Sequence, residues 1–136
     1  MTPAPNGAAS AARILIVDDE RKNRDVLEVM LQAEGFHTLT AASGDEALAM
    51  VAEQRPDLIL LDVMMPSMDG YQMATKLKAT PATSHIPIIM VTALDNRDAR
   101  MLGMSAGVDR FVTKPVDRVE LYHRVRDLLN LPTQPE

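Results

Sequence analysis

The chain has 136 residues, of which 46% are hydrophobic, so it has enough apolar sequence for one core and one domain. Its formal net charge of −5 argues against a general binder of nucleic acids or anionic membranes. It has no cysteine, which excludes disulfides and thiolate metal sites, and no apolar run of membrane-spanning length, so we expect a cytoplasmic protein with no direct nucleic-acid or membrane partner.

The first half of the chain predicts a tail, three strands and two helices. Residues 1–12 lack the basic start and apolar centre of a secretory signal, so we expect a disordered tail before a domain over residues 13–130. Gly35 stops the first helix, and Ser43 and Glu46 have the spacing of a capping box before the second. Apolar runs and helical spacing predict strands at 14–17, 36–41 and 58–61 and helices at 21–34 and between Ser43 and Pro56.

The second half predicts three helices and two further strands. Pro66 and Gly70 mark a loop after the third strand, and Asp117 and Glu120 again have capping-box spacing. The predicted helices are 70–79, 96–106 and one that follows Asp117, the strands are 86–91 and 109–113, and residues 131–136 form a short tail.

Five strands that alternate with five helices predict an α/β fold, with a parallel sheet covered by helices on both faces. Right-handed crossovers leave few topologies, and the flavodoxin-like strand order 2-1-3-4-5 places strands 1 and 3 side by side. In that order Asp18 and Asp19, which follow strand 1, lie next to Asp62, which ends the buried strand 3. Open sheets of this kind bind their ligands at the carboxyl ends of the strands.

Polar side chains are predicted at four strand ends on this edge, namely Asp18 with Asp19, Asp62, Thr92 and Lys114. Three neighbouring carboxylates repel one another unless a cation binds, and carboxylate oxygens suit Mg²⁺. A divalent ion, an ammonium and a hydroxyl are what the oxygens of a phosphoryl group require. A carboxylate that faces such a group can attack phosphorus. The constellation therefore predicts phosphoryl transfer to Asp62.

Each of these residues also has an ordinary structural interpretation. Asp18 and Asp19 taken alone could be N-cap acids that the helix dipole favours. For these two residues this interpretation is as well supported as metal binding. Thr92 alone is more often a loop hydroxyl, and Lys114 alone a solvated lysine. The functional interpretation rests on finding all of them at four strand ends in the right order, which is much less expected by chance.

Four segments together resemble the receiver domain of two-component response regulators, of the chemotaxis-regulator type. They are ILIVDDE at 14–20, LLDVMMPSMDG at 60–70, VTA at 91–93 and FVTKP at 111–115. The resemblance covers about residues 13 to 130. The second segment is most similar to receivers attached to cyclic-dinucleotide synthases or hybrid kinases.

The resemblance implies that Asp62 is the phosphoacceptor. It implies that Asp19 and Asp62 bind Mg²⁺ directly, together with the backbone carbonyl of Met64, while Asp18 helps through a water molecule. It further implies a signalling protein that is not an enzyme, a magnesium-dependent phosphoacceptor with slow self-dephosphorylation.

By the same resemblance, Thr92 and Lys114 bind the phosphoryl oxygens, and the Lys114–Pro115 peptide bond is cis. Thr92 and Phe111 form the switch, and Phe111 occupies the position of the family's switch aromatic, which is usually Tyr or Phe. Phosphorylation is then expected to change the face made by helix 4, strand 5 and helix 5.

The implied partners are a sensor histidine kinase or a histidine phosphotransfer protein and an unidentified downstream protein or output domain. We expect a monomer or a phosphorylation-dependent dimer, either a stand-alone receiver or one excised from a larger protein.

Two other functions compete with the phosphoacceptor. The best-known family of phosphohydrolases that turn over through an aspartyl phosphate has a second acid two residues after the nucleophile, to protonate the leaving group. That position is Met64 here, so this chain has no obvious general acid. A nucleotide-binding module needs a glycine-rich loop after strand 1, where this chain has Asp18, Asp19 and Glu20. The residues therefore favour the phosphoacceptor.

Overall fold

Five strands and five helices alternate along the computed structural model, which describes residues 12–63, 69–93 and 97–131. The strands are β1 (Arg13–Val17), β2 (His37–Ala41), β3 (Leu58–Asp62), β4 (Ile88–Thr92) and β5 (Arg110–Thr113). The helices are α1 (Arg21–Ala33), α2 (Gly44–Gln54), α3 (Gly70–Ala79), α4 (Arg97–Ala106) and α5 (Arg118–Leu128). The predicted alternation is confirmed.

The strands form one parallel sheet in the order β2-β1-β3-β4-β5, which confirms the predicted fold class. Because all strands run the same way, their carboxyl ends meet at one edge of the sheet. The pairs at that edge are Val17 with Ala41, Val17 with Leu61, Asp62 with Val91, and Thr92 with Thr113. This register brings the polar residues after β1, β3, β4 and β5 to the same edge.

Two apolar cores lie on opposite faces of the sheet. The α2–α3–α4 face buries Ala47, Val51, Met73, Leu77 and Ala106 of those helices against alternate strand residues. The opposite face buries Leu27 and Leu31 of α1 and Leu121 and Val125 of α5. Every residue of β3 and β4 is buried, since helices cover both faces of these central strands.

The helix starts depend on side-chain caps. The hydroxyl of Ser43 accepts a hydrogen bond from the Glu46 N–H at 3.1 Å, and Asp117 accepts one from the Glu120 N–H at 2.8 Å. The carboxylate of Glu46 accepts from the N–H of Ala42 at 2.6 Å, one residue before the position that a capping box requires. The predicted caps therefore start both helices, each through the hydrogen bond from the N–H three residues further on.

Some predicted boundaries were wrong by one or two residues. Strand β4 begins at Ile88 rather than at residue 86, because Pro87 has no N–H to donate and the N–H of Ile86 bonds to Thr83 in a turn. Strand β2 begins at His37, one residue later than predicted, and β5 at Arg110. Apart from residues 12 and 131, the two predicted tails lie outside the described residues.

In the described part of the chain, no helix combines the length and apolar character that crossing a membrane requires.

Candidate functional site

Three carboxylates converge at the carboxyl edge of the sheet. Asp62 is the last residue of β3 and is 3% exposed, and Asp18, directly after β1, is 1% exposed. Asp19 is exposed to solvent. One carboxylate oxygen from each of the three lies within 4.8 Å of the others. The structure thus brings together the three acids that the sequence predicted.

Lys114 reaches this cluster from the end of β5. Its backbone N–H donates to the carbonyl of Thr92 at 2.8 Å, and the Lys114–Pro115 peptide bond is cis, as predicted. Its ammonium Nζ lies 2.8 Å from Oδ1 of Asp62 and 4.0 Å from Oδ2 of Asp18. Thr92 ends the neighbouring strand and is buried. The predicted cation and hydroxyl therefore lie at the same edge as the acids.

Burial and the interactions within the cluster shift two pKa values. The pKa of Asp62 is raised, mainly because the carboxyl group is buried. The hydrogen bond from Lys114 lowers this pKa in part, and repulsion from Asp18 raises it further. Burial alone would lower the pKa of Lys114, but its hydrogen bond and charge attraction to Asp62 outweigh burial and raise it. Lys114 is therefore charged at neutral pH and compensates only part of the acidic charge.

The donor set fits a divalent cation that prefers oxygen ligands. Apart from the ion pair with Lys114, Oδ1 of Asp62 and Oδ2 of Asp18 have no hydrogen-bond partner among the described residues. Buried carboxylate oxygens without donors carry a desolvation cost that a bound cation would offset. Asp18, Asp19 and Asp62 could hold Mg²⁺. Met64, whose carbonyl was predicted as a further ligand, lies outside the described residues.

The backbone around the acids is fixed by residues that the sequence interpretation missed. Oδ1 of Asp18 accepts from the Glu20 N–H at 2.9 Å, and Arg24 donates to the carbonyl of Asp18 at 2.8 Å. A Cβ on Gly70 would lie 2.6 Å from the backbone oxygen of Asp62, so only glycine lets α3 start this close to β3. The turn signal at Gly70 was visible in the sequence, but the contact that requires glycine was not.

Phe111, the predicted switch residue, lies on β5 opposite Met90 of β4. Its ring is half-buried and packs against the core on the α2–α3–α4 face. The guanidinium carbon of Arg100 lies 5.4 Å from the ring centroid, in cation–π range. The ring also lies against Gly103 in α4. A glycine inside a helical pattern is a sequence signal for close packing, but the sequence interpretation did not use it.

Comparisons with known proteins point to one family. Residues 14–126 match the family described as response regulator receiver domain. The response regulator PleD of Caulobacter vibrioides is 52% identical over 118 residues, which cover 87% of this chain and 26% of PleD. The chain spans about a quarter to a half of the length of the curated relatives that it matches.

Solved structures agree with this result. The signal receiver domain of a signal transduction histidine kinase from Syntrophus aciditrophicus is 36% identical with a TM-score of 0.83, covering 93% of this chain and 96% of that chain. The receiver domain of the sensor histidine kinase PA1611 from Pseudomonas aeruginosa PAO1 is 31% identical with a TM-score of 0.82, covering 88% and 98%. That domain was solved with a magnesium ion coordinated in its active-site cleft.

Proposed function

The chain belongs to the response regulator receiver domain family, and we propose on this premise that Asp62 accepts the phosphoryl group. One observation carries the proposal. The buried carboxylate of Asp62 ends the central strand, contacts the Lys114 ammonium at 2.8 Å and shares a cluster with Asp18 and Asp19. This arrangement supplies an acceptor oxygen, a cation for the phosphoryl oxygens and carboxylates for a divalent ion.

The proposed reaction moves a phosphoryl group from a phosphohistidine to Asp62. The N–P bond of the donor breaks, with its electron pair left on the imidazole nitrogen, and an Asp62 oxygen forms the new O–P bond. Lys114 and Thr92 bind phosphoryl oxygens, and Asp18 and Asp19 hold Mg²⁺. When bound, the ion neutralises charge that develops on the transferring group. No strong base is required, since the carboxylate is already ionised when it attacks.

The test is the mass of the intact protein after incubation with acetyl phosphate and Mg²⁺. We expect a gain of one phosphoryl group. A protein that remains unmodified under conditions that phosphorylate another receiver would contradict the proposal.

The proposed donor in the cell is a sensor histidine kinase or a histidine phosphotransfer protein, and a cytoplasmic location is part of the same proposal. The receiver is proposed to span residues 13–130. We propose that the output is an unidentified downstream protein or output domain.

Phosphorylation is proposed to change the face formed by α4, β5 and α5. The support is the position of Thr92, which ends β4 just ahead of α4, and of Phe111, which lies on the adjacent β5. When Thr92 moves toward a phosphoryl group, the Phe111 ring can move into the space that it leaves, which shifts a two-state population. We expect amide chemical shifts to change between residues 92 and 128 on phosphorylation. Changes that leave this region untouched would contradict the proposal.

The phosphorylated state is proposed to be long-lived. In the family, the residues two positions after the phosphoacceptor and two after the threonine flank the approach of water, and here they are Met64 and Leu94, which both lie outside the described residues. Both are apolar and cannot orient an attacking water by hydrogen bonding. We expect Met64→Asn and Leu94→Glu to speed the decay of phosphorylated protein in the presence of Mg²⁺. Equal decay rates for the native chain and both variants would refute apolar shielding.

A further inference from the structure

The Phe111 ring contacts helix α4 at Gly103, which has no side chain. A Cβ built on Gly103 would lie 2.5 Å from Cε1 of Phe111, and it would contact Cζ more closely still. Both separations are far below van der Waals contact, so the ring occupies this position only because residue 103 is glycine. The same Cβ would be 3.6 Å from Sδ of Met90, which is ordinary contact, so the conflict is with the ring.

The strand register places this ring on the same face of the sheet as Thr92. Phe111 is paired with Met90, and Thr92 is two residues further along β4, so all three side chains project to the α2–α3–α4 face. In this parallel pair of strands, Phe111 and Thr92 are diagonal neighbours on that face. The ring therefore lies against α4 on the face of the sheet to which Thr92 also projects.

Arg100 covers the outer side of the ring. It precedes Gly103 by three residues, so the two residues lie on the same side of α4. Its guanidinium carbon is 5.4 Å from the ring centroid, and the arginine is itself exposed. The ring is thus held between the sheet, the backbone of Gly103 and a cation.

We propose that Gly103 is the positioning residue for the Phe111 ring, and that the seat formed by Gly103 and Arg100 sets how strongly phosphorylation is coupled to the α4–β5 face. The inference rests on the proposed function, in which the ring fills space released by Thr92. A methyl group at residue 103 would occupy the place of the Cε1–Cζ edge of the ring, so the ring must shift away from α4. The phosphorylated arrangement then loses packing that the native chain provides.

The first test needs no phosphoryl group. We expect Gly103→Ala to lower the denaturation midpoint of the full chain, because the new methyl group collides with the ring. In a Phe111→Ala background the same change should raise the midpoint, since alanine favours a helix interior over glycine. This reversal of sign identifies the ring as the colliding group. If Gly103→Ala moves the denaturation midpoint in the same direction in both backgrounds, Gly103 does not position the ring.

The second test measures the coupling through binding of beryllium fluoride, which mimics a phosphoryl group on a carboxylate, in the presence of Mg²⁺. We expect Gly103→Ala to weaken beryllium fluoride binding by about threefold or more. In the Phe111→Ala background the same substitution should change the affinity by less than about 1.5-fold, because the ring is absent. Ser105→Ala, at an exposed position of the same helix, should leave the affinity unchanged. Unchanged or tighter binding by Gly103→Ala would overturn the proposal.

The two tests distinguish a failure of this inference from a failure of the proposed phosphoacceptor function. A native chain that does not bind beryllium fluoride with Mg²⁺ present would remove the acceptor assignment and the coupling with it. The denaturation cycle would still decide whether Gly103 seats the ring. Native binding with no effect of Gly103→Ala would overturn this inference alone.

Discussion

Replacing Asp62 with Asn is expected to abolish the mass gain that the native chain shows with acetyl phosphate and Mg²⁺. The amide is close to the carboxylate in shape but is a far weaker nucleophile toward phosphorus. Among the described residues, Asp62 is the carboxylate in contact with Lys114 at 2.8 Å, so no other acid offers the same surroundings to the phosphoryl group. The expected loss is complete within the sensitivity of intact mass measurement.

The matched control is Asp57→Asn, just before the opposite end of β3. The carboxylate of Asp57 accepts a hydrogen bond from the backbone N–H of Arg13 at 2.8 Å, far from the cluster. This variant should be phosphorylated like the native chain. Labelling that persists in Asp62→Asn, or that disappears in Asp57→Asn, would contradict the assignment of Asp62.

Stability gives an independent check that the Asn variant is folded. Because the pKa of Asp62 is raised, the folded chain holds this proton more tightly than the unfolded chain does. The contribution of Asp62 to stability is therefore greatest at acidic pH and is lost as the pH rises through its folded-state pKa. At neutral pH the ionised Asp62 is a cost, so Asp62→Asn should unfold at a higher denaturant concentration than the native chain.

The sequence was sufficient for the fold and the acids because both depend on local patterns. Unbroken apolar runs such as 58–61 identify strands buried on both faces, and alternation with helices leaves a parallel sheet. Once the strand order is known, residues that follow strands must meet at one edge. Asp18 and Asp62 could thus be predicted as neighbours from the sequence alone, and their ligand oxygens do lie within 4.8 Å of each other.

Contacts between elements could not be predicted in the same way. The need for glycine at residues 70 and 103 arises from the backbone of Asp62 and the ring of Phe111, which belong to strands and not to the helices that contain the glycines. Helical spacing says which face of α4 is buried but not which side chain lies against it. The hydrogen bond from Arg24 to the carbonyl of Asp18 likewise depends on how α1 packs after its first turn. These contacts are set by tertiary packing.

Removing Mg²⁺ is expected to abolish phosphorylation almost as completely as removing Asp62. Apart from the ion pair with Lys114, Oδ1 of Asp62 and Oδ2 of Asp18 have no hydrogen-bond donor in the part of the chain that the structure describes. The excess negative charge at the site repels an incoming phosphoryl donor. Excess chelator should therefore prevent the mass gain with acetyl phosphate, and added Mg²⁺ should restore it. Full phosphorylation in excess chelator would show that the acids do not act through a metal.

The same site should also respond to Mg²⁺ in the absence of any phosphoryl donor. Binding to the folded chain alone raises its unfolding free energy by RT ln(1 + [L]/Kd), about 1.4 kcal/mol at ten times the Kd. Asp19→Asn should weaken Mg²⁺ binding by about tenfold or more and stabilise the metal-free chain, because it removes a ligand and a repelling charge. Asp25→Asn removes the same charge from an exposed position in α1 and should do neither. If both variants lose Mg²⁺ affinity equally, overall charge rather than the cluster attracts the ion, and the metal assignment fails.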